Sequence, residues 1–345
     1  MEKERELKKE IVNESTMLSR SLMINVLLAI AVVVLVVLLA VQMLNESKAT
    51  NGTQLASTTQ HINTSASNTT TRSVSYAYIA NHTNLEFNST ELSIINNAPL
   101  SYYETAAEKL LNGTLTDQIM VQRNPQGNAI IIDGKPTVVY IGATSCLYCA
   151  ENRWAMALAL AKFGKFNSLY TGYSAMNDGH IPTIFWVPAN ITIPSGVSYG
   201  SNYSSNYINF IAADYESPLS AGFEMQPLSY IISKAPNATY ANAIIFMNNS
   251  KLFQGTPFTF WGTTFVTGAD GVVFGNTTPT SAANITLAYM THQQILNQLK
   301  NFNDQFAWSE YAAADVYIAY TCPVINNSAP VCQLPGIQKL ESIIG

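Results

Sequence analysis

Cys146-Leu147-Tyr148-Cys149 is where residue types and spacing in this chain define a reaction. A C-x-x-C pair can cycle between dithiol and disulfide, and its reactivity depends on how readily the attacking thiol ionises. The pair follows an apolar, β-branched run from Thr137 to Ile141, which reads as a strand covered on both faces. A breaker-free run of helix formers follows from Ala150 to Phe163, with Gly164 placed to end it. A thiol at such a helix start faces unpaired backbone N–H groups and the positive end of the helix dipole, and both favour thiolate. Cys146, nearest the helix start and the surface, is expected to attack a substrate disulfide. Cys149, one turn later and deeper, is expected to resolve the mixed disulfide. Arg153, a further turn on, either adds positive potential or anchors the helix to a neighbour. Two rival readings stand beside the redox one: an inert disulfide within a helical turn, and a zinc site. Zinc is poorly served, because the other cysteines are spaced C-x9-C and no histidine lies near either pair in sequence.

The elements that would position this pair can be read on either side of it. Ala129 to Ile132 and Thr137 to Ile141 flank the turn dipeptide Asp133-Gly134, with Lys135-Pro136 lengthening the connection. Thr183 to Val187 and Tyr207 to Ala213 read as further strands, separated by a polar Gly/Ser/Tyr-rich loop. Ser101–Leu111, Pro218–Lys234 and Tyr240–Phe253 have helical character. Gly255-Thr256-Pro257 feeds an aromatic strand, Gly268 to Gly271 reads as the turn after it, and Val272 to Phe274 as the return strand. Thr291 to Phe302 is an amphipathic helix with Ile295, Leu296 and Leu299 on one face, and Asp304 to Tyr320 is a last helical piece leading to Cys322 and Cys332. Those two cysteines read as a structural disulfide, worth about 3 kcal/mol by loop closure. The alternative makes them a second redox pair relaying electrons to Cys146–Cys149.

Strand, C-x-x-C, helix, strand, helix, proline-led hairpin and closing helix is the order of the thioredoxin superfamily, which the chain resembles from about Ala129 to Phe302. The expected fold class is therefore α/β, a thioredoxin-like mixed sheet flanked by helices. The resemblance gives Pro257 the role of the cis-proline facing the C-x-x-C, with the Thr256 backbone set to pair with an extended substrate strand. Ile181-Pro182-Thr183 is the second candidate, and an ordinary trans turn proline is the bland reading. Gly-Lys-Pro-x-Val-x-Tyr-Ile-Gly-Ala before Cys146, Glu151-x-Arg153-Trp154-Ala155 after Cys149, and the Cys322…Cys332 ending resemble an archaeal membrane-anchored family, domain of unknown function 929. That resemblance implies a fold and a site, with no substrate attached. Leu147-Tyr148 differs from the Gly-Pro of thioredoxin and the Pro-Tyr of glutaredoxin, so neither potential can be transferred.

Other patterns carry less. Gly196-Val197-Ser198-Tyr199-Gly200 matches the nucleophile elbow but lies in the polar loop, without the strand-to-helix turn that motif needs. The four histidines are scattered, and Trp154, Met156, Leu158 and Leu160 read as core.

The chain has 345 residues, 48% apolar and 11% charged, with a net charge of −5 and a pI near 5.4. No basic stripe is available for nucleic acid. Residues 22–43 read as a transmembrane helix, since the apolar run from Leu22 to Val41 is long enough for the roughly 30 Å of a bilayer core. A cleaved signal is the competing reading. Lys3, Arg5, Lys8, Lys9 and Arg20 precede the span, which leaves residues 1–21 as a cytoplasmic tail and the rest outside. Residues 44–98 are expected to be a Ser/Thr/Asn-rich tether, 99–303 the domain with an insertion around 167–205, and 304–345 a helical extension with the second cysteine pair. Asn-x-Ser/Thr sequons recur from Asn45 to Asn326, through glycosylation outside the cell or through composition alone.

The expected function is a membrane-anchored, extracytoplasmic thiol–disulfide oxidoreductase acting on secreted or surface proteins. It needs no cofactor or metal, and its expected electron partner is a disulfide-generating membrane protein. It requires the Cys146 sulfur to be exposed at the helix entrance, opposite a proline loop. The alternative is a redox-inactive, glycosylated surface protein whose disulfides only brace it.

Overall fold

The computed structural model describes residues 75–113, 122–125, 127–193, 196–220, 226–248, 253, 255–267 and 290–344. The expected cytoplasmic tail, the span at 22–43, the tether up to residue 74 and the return strand at Val272–Phe274 lie outside them. Among the described residues no helix is long and apolar enough to cross a membrane.

The chain opens with α1 (Tyr76–Asn81), α2 (Ser89–Asn96) and α3 (Leu100–Leu111). Residues 75–98 are thus folded, where the sequence reading continues the tether to 98. Ile79, Phe87 and Ile95 anchor them, each at most 4% exposed. Asn88 and Glu91 close α2 with a reciprocal capping box. Three apolar anchors in a Ser/Thr/Asn-rich background leave little periodic signal.

β1 (Gln122–Pro125), β2 (Ile131–Ile132) and β3 (Lys135–Ala143) lead to α4 (Leu147–Leu160). Asp133 and Gly134 both have positive φ, 50° and 75°, as a two-residue hairpin turn demands. Ile132 pairs with Lys135 and Ile131 with Pro136, so Lys135-Pro136 is strand and does not lengthen the connection. Next come β4 (Gly164–Phe166), β5 (Tyr170–Tyr173), β6 (Pro182–Phe185), β7 (Gly196–Tyr199), β8 (Tyr203–Ser205) and β9 (Asn209–Glu216). The expected loop is therefore structured: β7 lies along β9, β8 pairs with β4, and β6 pairs with β5 outside the main sheet. Its polar side chains are those of exposed or half-buried strands. α5 (Leu228–Ser233), α6 (Ala238–Asn248), β10 (Phe258–Trp261) and β11 (Thr264–Thr267) follow. The hairpin turns at Gly262, φ 59°, earlier than the Gly268–Gly271 of the sequence reading, because the aromatic run Phe258–Phe265 is folded back on itself. A Cβ at Gly262 would meet the Tyr320 carbonyl oxygen at 2.0 Å, so glycine is required both for the turn and for this close approach. α7 (His292–Asn301), α8 (Gln305–Thr321) and α9 (Pro335–Ile344) complete the described chain.

The main sheet runs β1-β11-β10-β3-β9-β7, with β3 and β9 parallel and the other pairs antiparallel; β2 adds to the start of β3. Alternation along each strand divides the core. Val138, Tyr140, Phe210, Ala212 and Trp261 face the cluster shared with α3, α4, α7, α8 and α9. Val139, Ile141, Ile211, Ala213 and Phe260 face the other, shared with α5 and α6. The protein is thus a mixed α/β structure with helices on both faces of a mixed sheet. α8 is buried from Tyr311 to Thr321 and belongs to this core, where the sequence reading makes it part of an appended extension.

Candidate active site

β3 delivers the chain to the end of the parallel pair β3–β9, and the turn into α4 is fixed to the end of β9. Thr144 N–H donates to the Tyr215 carbonyl at 2.9 Å, Ser217 N–H donates to Thr144 Oγ1 at 3.2 Å, and the Ser145 and Ser217 hydroxyls hydrogen-bond each other. Cys146 is then the N-cap of α4, with φ −74° and ψ 127°. Its sulfur accepts from the Cys149 N–H at 3.4 Å, satisfying one of the helix's unpaired donors. Opposite lies the loop before β10, whose Thr256–Pro257 peptide is cis. The Cys146 thiol donates to the Thr256 carbonyl at 3.7 Å. Pro182, the second candidate, lies in β6 and its carbonyl accepts from Trp154 Nε1 at 3.0 Å. The structure thus joins Cys146, Cys149, Thr256 and Pro257 in one site.

Exposure departs from expectation. Cys146 is 6% exposed and Cys149 0%, so the order is as read, but the sulfur expected to lie open is almost covered, with the Thr256 carbonyl standing over it. Both are free thiols. Cys146 is nonetheless held below the ordinary thiol range, chiefly by its hydrogen bond with the Cys149 side chain. Burial opposes this, while the Cys149 N–H, the Thr256 side chain and the Arg153 charge assist it. Burial pushes Cys149 far up, with the Cys146 hydrogen bond adding to it. The pair is therefore asymmetric: one thiol disposed to ionise, the other to keep its proton.

Beneath it lies a buried polar group. Arg153, 0% exposed, donates from one Nη to the Ala143 carbonyl at 2.8 Å and to Asp214 Oδ1 at 2.6 Å. Its guanidinium lies between the rings of Tyr140 and Phe185, 5.6 and 5.5 Å away. It both anchors α4 and lends the thiols positive potential, joining the two roles read as alternatives. Tyr140 Oη donates to Asp214 Oδ1 at 3.2 Å, and Cys149 Sγ accepts from the Ala143 N–H at 3.4 Å. Sequence reasoning assigns Tyr140, Gly142 and Asp214 no part in the site. The available signals are the same-face spacing of Tyr140 and Gly142 on β3 and one acid at the end of an apolar strand.

Cys322 and Cys332 form a disulfide, Cα–Cα 5.6 Å, joining the end of α8 to a 3₁₀ turn at Pro330–Gln333. Both are 0% exposed, which suits bracing. Ser198 lies in β7, away from any nucleophile elbow. His292 is a packing residue: burial holds it down at about 4, and its Nε2 faces the carbonyls of Gly172 and Thr183 at 2.9 Å. Among the described residues no group of His, Cys, Asp and Glu could hold a metal.

A family model described as domain of unknown function (DUF929) matches residues 124–323, more than half of the chain, and the chain belongs to that family. Among curated proteins and among solved structures, nothing matches it.

Proposed function

We propose that this member of the DUF929 family is a thioredoxin-like thiol–disulfide oxidoreductase. The supporting observation is Cys146 at the N-cap of α4 with the cis Thr256–Pro257 loop opposite. The strand order β11-β10-β3-β9, with only the last pair parallel, supports the thioredoxin-like reading. The Cys146 thiolate attacks one sulfur of a substrate disulfide, and the other leaves as a thiol. Cys149 then attacks the Cys146 sulfur, the substrate leaves as its second thiol, and Cys146–Cys149 remains as a disulfide. Two electrons pass to the substrate; the reverse sequence oxidises a substrate dithiol. Cys146 is 6% exposed beneath the Thr256 carbonyl, short of the open sulfur this reading requires, so turnover needs the Thr256–Pro257 loop to move off the sulfur before an extended segment can lie along it. The apolar run from Leu22 to Val41 and the basic residues before it support a membrane anchor with this domain outside the cell, where secreted or surface proteins are the substrates and a quinone-linked disulfide generator the partner.

The 6% exposure of Cys146 favours a second reading, a glycosylated surface protein that keeps the fold without turnover. Insulin reduction and dithiol oxidation by the full chain separate the two. Activity lost in Cys146→Ser supports the enzyme; equal activity in wild type and variant removes it.

A further inference from the structure

The sequons differ in what the fold does with them. Asn190-Ile191-Thr192 lies in the loop between β6 and β7, outside any helix or strand, with Asn190 and Thr192 exposed. Ile191 between them is half-buried against the cluster of Ile79, Tyr173 and Leu219, and its carbonyl accepts from the Leu219 N–H at 3.2 Å. The middle residue thus anchors the tripeptide and leaves its two neighbours outward. Asn190 Oδ1 accepts from the Thr192 N–H at 3.0 Å and from the Thr192 hydroxyl at 2.9 Å. A backbone N–H can only donate, so the amide oxygen is the atom turned in, and Nδ2 is left without a partner among the described residues. The Asn190 N–H donates to Glu216 Oε1 at 2.8 Å, which ties the loop to the end of β9.

The other sequons that are described in full are engaged differently. Asn88 and Asn237 use their oxygens at helix starts, accepting from the N–H groups of Glu91 and Tyr240, and the two residues after each are helical. Asn202 Nδ2, the atom a glycan needs, donates to Ser168 Oγ at 2.9 Å, and Tyr203 and Ser204 belong to β8. At Asn81 and Asn326 the third residue turns its hydroxyl away: Thr83 Oγ1 donates to the Ile79 carbonyl at 2.8 Å, and Ser328 Oγ to the Ile325 carbonyl at 2.7 Å. A glycosyltransferase must take the whole tripeptide into its own site, which a surface loop allows and a helix or paired strand resists.

We propose that Asn190 is an N-glycosylation site of the folded domain, its donor an oligosaccharide linked to a polyprenyl phosphate. Asn190 Nδ2 attacks the anomeric carbon, the C–N bond forms as the bond to the phosphate oxygen breaks, and Nδ2 gives one proton to the transferase. The lipid phosphate is the leaving group, and nothing is oxidised or reduced. The inference rests on the placement of this domain outside the cell and not on its thiol chemistry. The glycan stands at the end of β9, where Ser217 holds the turn into α4.

The test uses the full chain, purified in detergent from an archaeal host that N-glycosylates its own surface layer, with its peptides read by mass spectrometry. The Asn190 peptide should gain a glycan mass, and the peptides bearing Asn88, Asn202 and Asn237 should not. Thr192→Ser should keep that mass and Thr192→Val should lose it. Glycans on Asn45, Asn51, Asn63 or Asn68 with a bare Asn190 overturn this site alone. So does an occupancy at Asn190 no higher than at Asn88 and Asn202, or a mass retained in Thr192→Val. A chain bare at every sequon, from cells whose surface layer is glycosylated, overturns the placement outside the cell and the site with it.

Discussion

Arg153 and Asp214 meet at 2.6 Å with side chains 0% and 6% exposed, and this pair ties the helix that carries the C-x-x-C to the strand beside it. Attraction within a buried pair is largely offset by desolvation, but removing one partner strands the other charge in the core. Arg153→Met should therefore lower unfolding free energy by about 3–5 kcal/mol in urea melts. The double variant Arg153→Met/Asp214→Leu should recover a large part of that loss. A single variant as stable as wild type would show that the pair does not secure α4.

The same guanidinium bears on the thiols. Cys146 is held below the ordinary thiol range and Cys149 well above it. Alkylation of native protein should thus modify Cys146 alone, with a rate inflection at lower pH than that of an ordinary cysteine. In a folded Arg153 variant the inflection should move up, because the Arg153 charge lowers the Cys146 value. Modification of Cys149 first would contradict the asymmetry.

How much of this was legible follows from where the signal lies. The C-x-x-C lies between a continuous β-branched apolar run and a breaker-free run of helix formers, with a turn dipeptide before them, and Thr256–Pro257 precedes an aromatic hairpin; those positions read out. Exposure did not, because the Thr256 carbonyl covers Cys146 from 110 residues away in sequence. Tyr140, Gly142 and Asp214 stayed hidden for the same reason: β3–β9 pairing joins them, and a strand read to Ala213 stops one residue short of the acid. α8 looked like an appendage because its buried faces include Glu310 and Asp315, whereas core helices are normally recognised by apolar composition.

The Cys322–Cys332 bridge closes a sequence separation of 10 residues at the end of α8. The double alanine variant should lose about 3 kcal/mol. The Cys146 alkylation profile should stay as in wild type if the bridge only braces. A shifted profile would revive the electron-relay reading of that pair.

Glu310, 8% exposed on α8, has its carboxyl pushed up to about 8 by burial, with a hydrogen bond to the Ala155 backbone opposing. Asp315, on the same helix, is also pushed far up, by burial and then by the Glu104 charge, and neither of its oxygens has a hydrogen-bond partner among the described residues. Tyr103 and Tyr311 are the other titratable groups coupled to it. Both acids are thus neutral in the fold at pH values where an unfolded carboxyl has already ionised. Below the unfolded value near 4.3 both states hold the proton and there is no penalty. Above it the unfolded chain holds fewer protons than the native one, so stability falls as pH rises, until native Glu310 itself ionises near 8. For Glu310 alone the loss across that window is at most about 5 kcal/mol. Thermal unfolding should therefore occur at higher temperature at pH 4–5 than at pH 8, and Glu310→Gln should flatten the dependence without moving the Cys146 inflection. A melting temperature that rises steadily from pH 4 to pH 8 would mean these carboxyls are ionised and paired, contrary to the packing of α8.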